Sequence, residues 1–464
     1  MIRLFRVFVP TSTLILLLTE IGLVFASYFV ALYILLPFEP EIFMFYEDGF
    51  LRLSLVVLAV ILALYFQDFY TSGAERSKII LLEKTLRTIA IVFFTQALMA
   101  YAIPALLMPR GTILGGSAIL LFALPAWRLC FNTVFSRALL PQRILFLGTN
   151  TVVQEIAQRL AQHPELGMCG LGYLDDAYAV GHTVAAGLPV LGGYADLRTI
   201  VEAQKPDRIV VGPAERRQAM PMYELLDLRF RGLYIEEAAR TYEAAFGRVT
   251  TKALRPSYLI FSSDLGPRPI SLRIQSIYSF LLACVGLVLS APLMALVAIA
   301  VAVTSRGPVL FRQTRVGLNG DLFTIYKFRS MRVDAEAKTG AVWATKNDPR
   351  VTPIGKYLRI LRLDELPQIV NVLRGEMAIV GPRPERPEFV QTLSEVIPFY
   401  RQRHAVKPGI TGWAQINYKY GETMDDAIVK LEYDLYYIKN LSLSLDMYII
   451  FNTVKAMLVE QSGQ

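Results

Sequence analysis

The stretch YLRILRLDELPQIVNVLRGEMAIVGPRPERPE, residues 357–388, decides how the chain is read. An apolar helix begins at the adjacent acids Asp364 and Glu365, carries Pro367 in its first turn, where a missing N–H is tolerated, and ends near Gly375. The carboxylates therefore stand at a helix start. Arg359 and Arg362 come just before them, and Arg383 follows in a Gly-Pro-Arg-Pro loop whose prolines stiffen the backbone that presents it. Acids complement the dipole of any helix N-terminus, so the pair alone is weak evidence. With the arginines it becomes a site that could hold a divalent metal, clamp phosphate oxygens in guanidinium forks and leave one carboxylate as nucleophile.

Composition sets the surroundings of that site. The chain has 464 residues, room for two or three domains, and 54% of them are hydrophobic. A mean hydropathy of +0.42 is too apolar for an ordinary soluble protein, so part of the chain lies in lipid. A formal charge of +8 beside that apolarity suits anionic headgroups and phosphorylated substrates. No nucleic-acid motif is found, so no nucleic-acid partner is expected. Cys130, Cys169 and Cys284 are far apart and imply no disulfide framework. His163, His182 and His404 are equally scattered, which argues against zinc, and His404 reads as a surface residue.

Taken in order, apolar runs at about 13–36, 51–66, 88–108 and 112–130 approach or reach the roughly 20 residues that cross a bilayer. They read as a four-helix transmembrane bundle, the first run staying as an anchor because no cleavage pattern precedes Pro37. Glu20 inside it needs a partner, expected on a neighbouring helix. Arg3, Arg6, Arg76, Lys78, Lys84, Arg87, Arg128 and Arg137 flank one side and the loop 37–48 is acidic, which places both ends of the bundle in the cytoplasm.

From Gln142 the pattern changes to strand-like RILFLG, LGYLDD, LPVLGG and DRIVVG with a helix at 151–163, a small parallel α/β domain. Its first turn, 148–153, lacks the glycines that admit a dinucleotide pyrophosphate, so the domain reads as Rossmann-like without dinucleotide, a regulatory or assembly module. The last long apolar segment, 274–304, contains Ser290, Ala291 and Pro292. Proline bends a helix, and basic residues lie at both ends: Arg268 and Arg273 before it, Arg306, Arg312, Arg315, Lys327, Arg329 and Arg332 after it. A re-entrant hairpin that returns to the cytoplasm fits these charges better than a crossing.

Three stretches together resemble the bacterial sugar transferase family, the monotopic phosphoglycosyltransferases: GPVLFRQTRVGLNGDLFTIYKFRSM (307–331), the opening stretch, and KPGITGWAQINY (407–418), in the family's order. The resemblance is to the large form, and Asn417 followed by Tyr418, Lys419, Tyr420 and Gly421 resembles the exosortase-associated exopolysaccharide type. It implies transfer of hexose 1-phosphate from a UDP-hexose to polyprenyl (undecaprenyl) phosphate with release of UMP. In the family the aspartate of the pair attacks the phosphorus bearing the sugar, which makes Asp364 the nucleophile. Glu365 would ligate the metal or assist the second attack, and Lys327 matches an essential lysine. Arg359 and Arg383 would bind phosphate oxygens, and Mg²⁺ would sit on Asp364 and Glu365. Arg362 departs from the family's small polar residue and is left out. Pro292 matches the hairpin break, while Ser290 stands one residue earlier than the family's serine. Trp413 reads as an interfacial anchor.

The expected architecture is thus a membrane α-helical bundle (1–140), a cytoplasmic Rossmann-like α/β domain (141–250) and a mixed α/β monotopic catalytic domain (251–464) with a re-entrant hairpin (274–304). The expected place is the bacterial inner membrane, multi-pass, with the catalytic domain on the cytoplasmic face, in contact with membrane lipid. A homodimer stays open. Two other classes are weighed: a membrane-bound nucleotide-sugar dehydratase or epimerase, whose Tyr-x-x-x-Lys pair is not found in the α/β domain, and a non-catalytic scaffold for polysaccharide assembly.

Overall fold

The computed structural model describes residues 2–35, 40–70, 78–131, 141–212, 220–253, 266, 268–333, 350–418 and 423–459. Pro37, Arg76, Arg137, Lys419, Tyr420 and Gly421, which entered the sequence reading, lie outside them. The chain divides into two units, one of Met1–Ile2 and Phe8–Ala238, the other of Arg3–Val7 and Ala239–Gln464.

The first unit opens with α1 (Thr11–Leu35), α2 (Gly49–Phe66), α3 (Lys78–Ala102) and α4 (Arg110–Cys130). By length and composition α1, α2 and α4 could cross a membrane, as could one helix of the second unit, while α3 does not reach that standard. The run expected at 88–108 is displaced because α3 starts earlier, through Glu83, Lys84 and Arg87, and stops before Pro104. Helices α1 and α4 meet at glycine: a Cβ on Gly116 would lie 2.2 Å from the Tyr28 ring, and the Tyr28 hydroxyl sits 2.9 Å from Ser117 Oγ. Small residues let apolar helices approach when no water drives them together.

Glu20 finds its partner on the neighbouring helix. Arg128 Nε is 2.6 Å from Oε1, Arg128 Nη2 donates to Oε2 at 2.9 Å, and the Tyr70 hydroxyl donates to Oε2 at 2.5 Å. Arg128, expected as a flanking surface charge, is buried instead, also donating to the Phe69 carbonyl at 3.1 Å. Its charge was read for topology when it is spent on Glu20.

The α/β part has β1 (Gln142–Leu147), α5 (Thr151–Gln162), β2 (Met168–Leu174), β3 (Val190–Gly192), α6 (Leu197–Gln204), β4 (Arg208–Val211), α7 (Met222–Phe230) and β5 (Tyr234–Glu237). All strand pairs are parallel, in the order β3-β2-β1-β4-β5, so the chain reverses direction across the sheet between β1 and β4. That is the doubly wound arrangement, with its switch point beside Gly148. There the Thr149 N–H and hydroxyl both donate to Asp175, at 2.9 and 2.6 Å, and Asn150 caps α5 by accepting from Val153 N at 3.0 Å. The Thr149 and Val153 N–H groups at this turn are thus engaged within the protein.

The second unit is built on α8 (Pro269–Thr304), the hairpin β6 (Leu310–Val316) and β7 (Leu322–Phe328), α9 (Pro353–Ile360), α10 (Ile369–Leu373), β8 (Ala378–Val380), α11 (Pro387–Val396), β9 (Gly409–Thr411), α12 (Met424–Asn440) and α13 (Leu443–Val459). Helix α8 is one helix of 36 residues that carries Pro292 in its interior, where a break had been expected. Proline deletes only the bond to the Val288 carbonyl, and the rest of the apolar helix keeps its own. The Ser290 hydroxyl lies 3.5 Å from Met294 Sδ, not on that carbonyl.

The buried pair in the helical bundle generates a stability prediction. Glu20→Ala strands a buried guanidinium and should destabilise the fold by about 3–5 kcal/mol, whereas Glu20→Ala with Arg128→Leu should recover most of the loss. Equal unfolding midpoints for the single and double variants in a detergent titration would contradict the pairing.

Candidate active site

Helix α9 starts where Thr352 caps the Gly355 N–H at 3.0 Å, and a Cβ on Gly355 would lie 2.0 Å from the Ser330 carbonyl oxygen. It ends because Arg362 adopts a left-handed backbone, φ 53. The acid pair follows, and here the sequence reading needs correction: Leu363–Gln368 is a 3-10 segment, and the α-helix proper is only Ile369–Leu373 before Gly375 at φ 75. With three residues per turn, neighbouring side chains diverge by about 120°, so Asp364 and Glu365 face different surroundings.

Glu365 is the clamped one. Its Oε1 accepts from Lys327 Nζ on β7 and from Arg383 Nη2 in the Gly-Pro-Arg-Pro loop, both at 2.7 Å. Burial pushes its carboxyl up, but Arg383 and Lys327 outweigh that and hold it well below the usual carboxylate range. Asp364 is 8% exposed, and among the described residues no hydrogen bond or ion pair reaches its carboxylate. Burial and then the Glu365 charge raise its pKa, held back by Lys327, Arg359 and Arg383. One acid is held as an anion by two cations; its neighbour has no hydrogen-bond or ion-pair partner among the described residues and is disfavoured as an anion.

The cations are positioned separately. Lys327 faces Phe311 across the antiparallel β6/β7 register, a rigid mount. Arg359, on the last turn of α9, donates from Nε to Ser330 Oγ at 3.2 Å. The Arg383 side chain is 37% exposed. Arg329, expected as one of the charges that mark the membrane side, is buried and donates to the Ser305 carbonyl and hydroxyl at 2.7 and 2.6 Å.

The loop that carries Arg383 is fixed on its backbone. Gly381 N donates to Thr411 O at 2.8 Å and Gly409 N to Pro382 O at 3.0 Å, continuing the parallel β8/β9 pair. The backbones meet so closely that a Cβ on Gly409 would lie 2.1 Å from Gly381 N, and one on Gly412 2.2 Å from Gly381 O. The Pro-Gly-rich stretch therefore serves as the backing strand of the Arg383 loop. Arg403 Nη2 donates to the Arg383 carbonyl at 3.1 Å while pairing with buried Asp434 at 2.8 Å, and Arg315 Nη1 donates to the Pro384 carbonyl at 3.1 Å.

Sequence reasoning missed Arg403 and Asp434, although an aspartate among the aromatics of 431–438 was the available signal. Trp413, expected at the lipid interface, is buried, donating to the Gly247 carbonyl at 2.8 Å and stacking on Tyr436. His404 is half-buried, and burial lowers its pKa to about 4. Ser290 and Pro292 lie within α8, and neither touches the site.

A metal at this place would have to share the two carboxylates. Asp364 is unpartnered and Glu365 has bound its cations through Oε1 alone. Among the described residues no group of three His, Cys, Asp or Glu gathers. That set suits Mg²⁺, which takes one or two carboxylates and fills its octahedron with phosphate oxygens and water, better than a caged ion.

Comparison with known proteins fits this geometry. Residues 270–460 match the sequence family described as bacterial sugar transferase, and residues 65–214 match one described as CoA-binding domain. A UDP-glucose:undecaprenyl-phosphate glucose-1-phosphate transferase of Xanthomonas campestris pv. campestris is 34% identical, over 75% of this chain and 73% of its own length. A Klebsiella pneumoniae protein of the same name is 35% identical over 69% of both chains. A UDP-N-acetylgalactosamine-undecaprenyl-phosphate N-acetylgalactosaminephosphotransferase of Aeromonas hydrophila is 45% identical over 47% of this chain, which spans about half (50%) of that relative. With the clamped acid pair, the Arg383 loop and its backing strand all inside the matched segment, the chain belongs to the bacterial sugar transferase family.

Proposed function

We propose that this protein transfers a sugar 1-phosphate from a UDP-sugar to undecaprenyl phosphate, releasing UMP, as the first membrane step in making an exopolysaccharide. The observation that carries this reading is the asymmetry of the acid pair: Glu365 locked by two cations, Asp364 unpartnered and raised. An Asp364 oxygen attacks the phosphorus bearing the sugar. The new P–O bond forms as the bond to the bridging diphosphate oxygen breaks, and UMP leaves with that electron pair. A phosphate oxygen of the polyprenyl carrier then attacks the same phosphorus and displaces Asp364, which returns as carboxylate. Arg383 and Lys327 stabilise the charge that gathers on the phosphoryl oxygens, and Arg359 is near enough to assist. Mg²⁺ held by Asp364 and Glu365 would neutralise the diphosphate; the chain's own contribution is to present Asp364 desolvated and with no competing cation bonded to it.

Helix α8 supports a cytoplasmic, membrane-surface place for the reaction. Its buried residues lie in two groups on one domain, Gln275, Ser279 and Ala283 near one end and Val297 and Val301 near the other, while Val288 and Leu289 between them are 74% and 76% exposed. A straight helix of this length is about 54 Å long. If it crossed a bilayer core of about 30 Å, only one end could pack on a domain at one face. The two packed ends and bare middle support a bent helix that enters and leaves by the cytoplasmic leaflet, in a multi-pass protein of the bacterial inner membrane. Both the dehydratase and the scaffold readings leave the clamped acid pair without a purpose.

Three outcomes test these statements. Labelled UDP-sugar without acceptor should label the protein, the label should vanish in Asp364→Asn and in excess chelator, and UMP should appear with at least one UDP-sugar; full labelling of the asparagine variant excludes the mechanism. The acid limb of the rate should lie above the ordinary aspartate value of about 4, because the Asp364 pKa is raised and only its anion attacks. In Glu365→Gln the residual rate should lose that limb toward lower pH, since the charge that raises Asp364 is gone and two cations are freed; an unmoved limb counts against the assignment. For topology, Arg273→Cys and Gly320→Cys, each in a background without Cys130, Cys169 and Cys284, should both resist an impermeant thiol reagent applied outside the cell. Rapid labelling of the second alone would mean a crossing helix.

A further inference from the structure

A cavity of about 120 Å³ opens in the second unit where its N-terminal arm meets the foot of α8. Arg3, Arg6, Arg268 and Lys439 line it, and among the described lining residues there is no carboxylate. The arm is fastened in place: the Tyr436 hydroxyl donates to the Arg6 carbonyl at 2.8 Å, Arg3 donates to Asn440 Oδ1, and Asn440 Nδ2 donates back to Tyr436 O at 2.9 Å. Phe5 and Arg6 both hold left-handed backbones, φ 49 and 66, an unfavourable turn for side-chain-bearing residues that brings Arg3 and Arg6 to the same wall.

The bland account is that these cations offset the C-terminal dipole of α12. It covers Arg3 and Lys439, the latter already paired with Glu243 at 2.7 and 3.0 Å. It does not cover Arg6 and Arg268, which are exposed and whose guanidiniums meet no acceptor among the described residues. Like charges drawn into one cavity repel, and an anion relieves them. Arg268 directly precedes α8, whose first turns expose Ile270 (72%), Ile274 (46%) and Ile277 (62%). A cationic pocket thus opens beside a bare apolar helix face.

We propose that this pocket binds the phosphate of an anionic membrane phospholipid, with the acyl chains against the first turns of α8. The site shares no residue with Lys327, Arg359, Asp364, Glu365 or Arg383, so it is an anchor and depth gauge for the catalytic unit and not the acceptor site. It rests on α8 being in lipid, but not on the reaction, because its readout is lipid binding.

The test is native mass spectrometry of the delipidated full-length protein titrated with phosphatidylglycerol, with phosphatidylcholine, and with inorganic phosphate. The wild type should retain phosphatidylglycerol at one site that Arg6→Gln with Arg268→Gln weakens roughly 30-fold, about fivefold for each basic residue at an anionic surface. Phosphatidylcholine should bind both proteins equally, inorganic phosphate should not compete, and UMP release in detergent should be unchanged, which shows the variant is folded. Equal retention of phosphatidylglycerol by both proteins overturns the proposal. Competition by inorganic phosphate at the same site also overturns it, in favour of a soluble anion.

Discussion

The hydrogen bonds that converge on one oxygen, Glu365 Oε1, hold the site together. Lys327 reaches it from 38 residues upstream and Arg383 from 18 residues downstream, so a hairpin, a 3-10 turn and a loop meet at a single atom. A carboxylate this buried is stabilised as an anion by both cations, which outweigh the cost of its burial. The consequence for Asp364 is direct. Its neighbour takes the hydrogen bonds of Lys327 and Arg383, and among the described residues no donor reaches the Asp364 carboxylate.

That arrangement would be soft if Arg383 were carried by an ordinary loop. It is carried instead by a segment tied down along its backbone: the Gly381 N–H by Thr411, the Pro382 carbonyl by Gly409, the Arg383 carbonyl by Arg403 and the Pro384 carbonyl by Arg315. The glycines of 409–412 are required by distance, since there is no room for a Cβ between the two backbones. Asp434 enters through Arg403. Burial raises its pKa to about 6 against the pull of Arg403, so the pair trades solvation for a fixed angle of the loop.

What could be read from the sequence divides along physical lines. Helix spans and strands follow from local periodicity, and α1, α2, α4, α8 and the strands of the parallel sheet lie close to where the pattern puts them. The acid pair and Arg383 were legible because charged residues cluster around rigid turn chemistry, whereas Lys327 was legible only through the family resemblance. The 3-10 turn was not, because it depends on Arg362 accepting a left-handed backbone that its side chain does not announce. Arg128, Arg329, Trp413 and His404 were misplaced for a common reason. Each was assigned by what its residue type does on average, while its burial is decided by the fold: through Glu20, Ser305 and Gly247, distant in sequence, for the first three, and for His404 through the packing that also buries its neighbour Arg403.

The same distinction explains why the membrane helix is better understood from its packing than from its proline. A lipid-borne phosphate cannot carry its charge into hydrocarbon, so an enzyme that uses it must hold its nucleophile at the headgroup layer. Helix α8 is fixed to the site at both ends: Gln275 donates to the Val380 carbonyl at 3.1 Å, immediately before the loop of Arg383, and Val301 packs with Phe328, next to Lys327. Asp446, buried between Gln275 and Tyr437, ties that first end to α13. Both cations that grip Glu365 are therefore mounted on segments that pack against α8, Arg383 beside its first end and Lys327 beside its second.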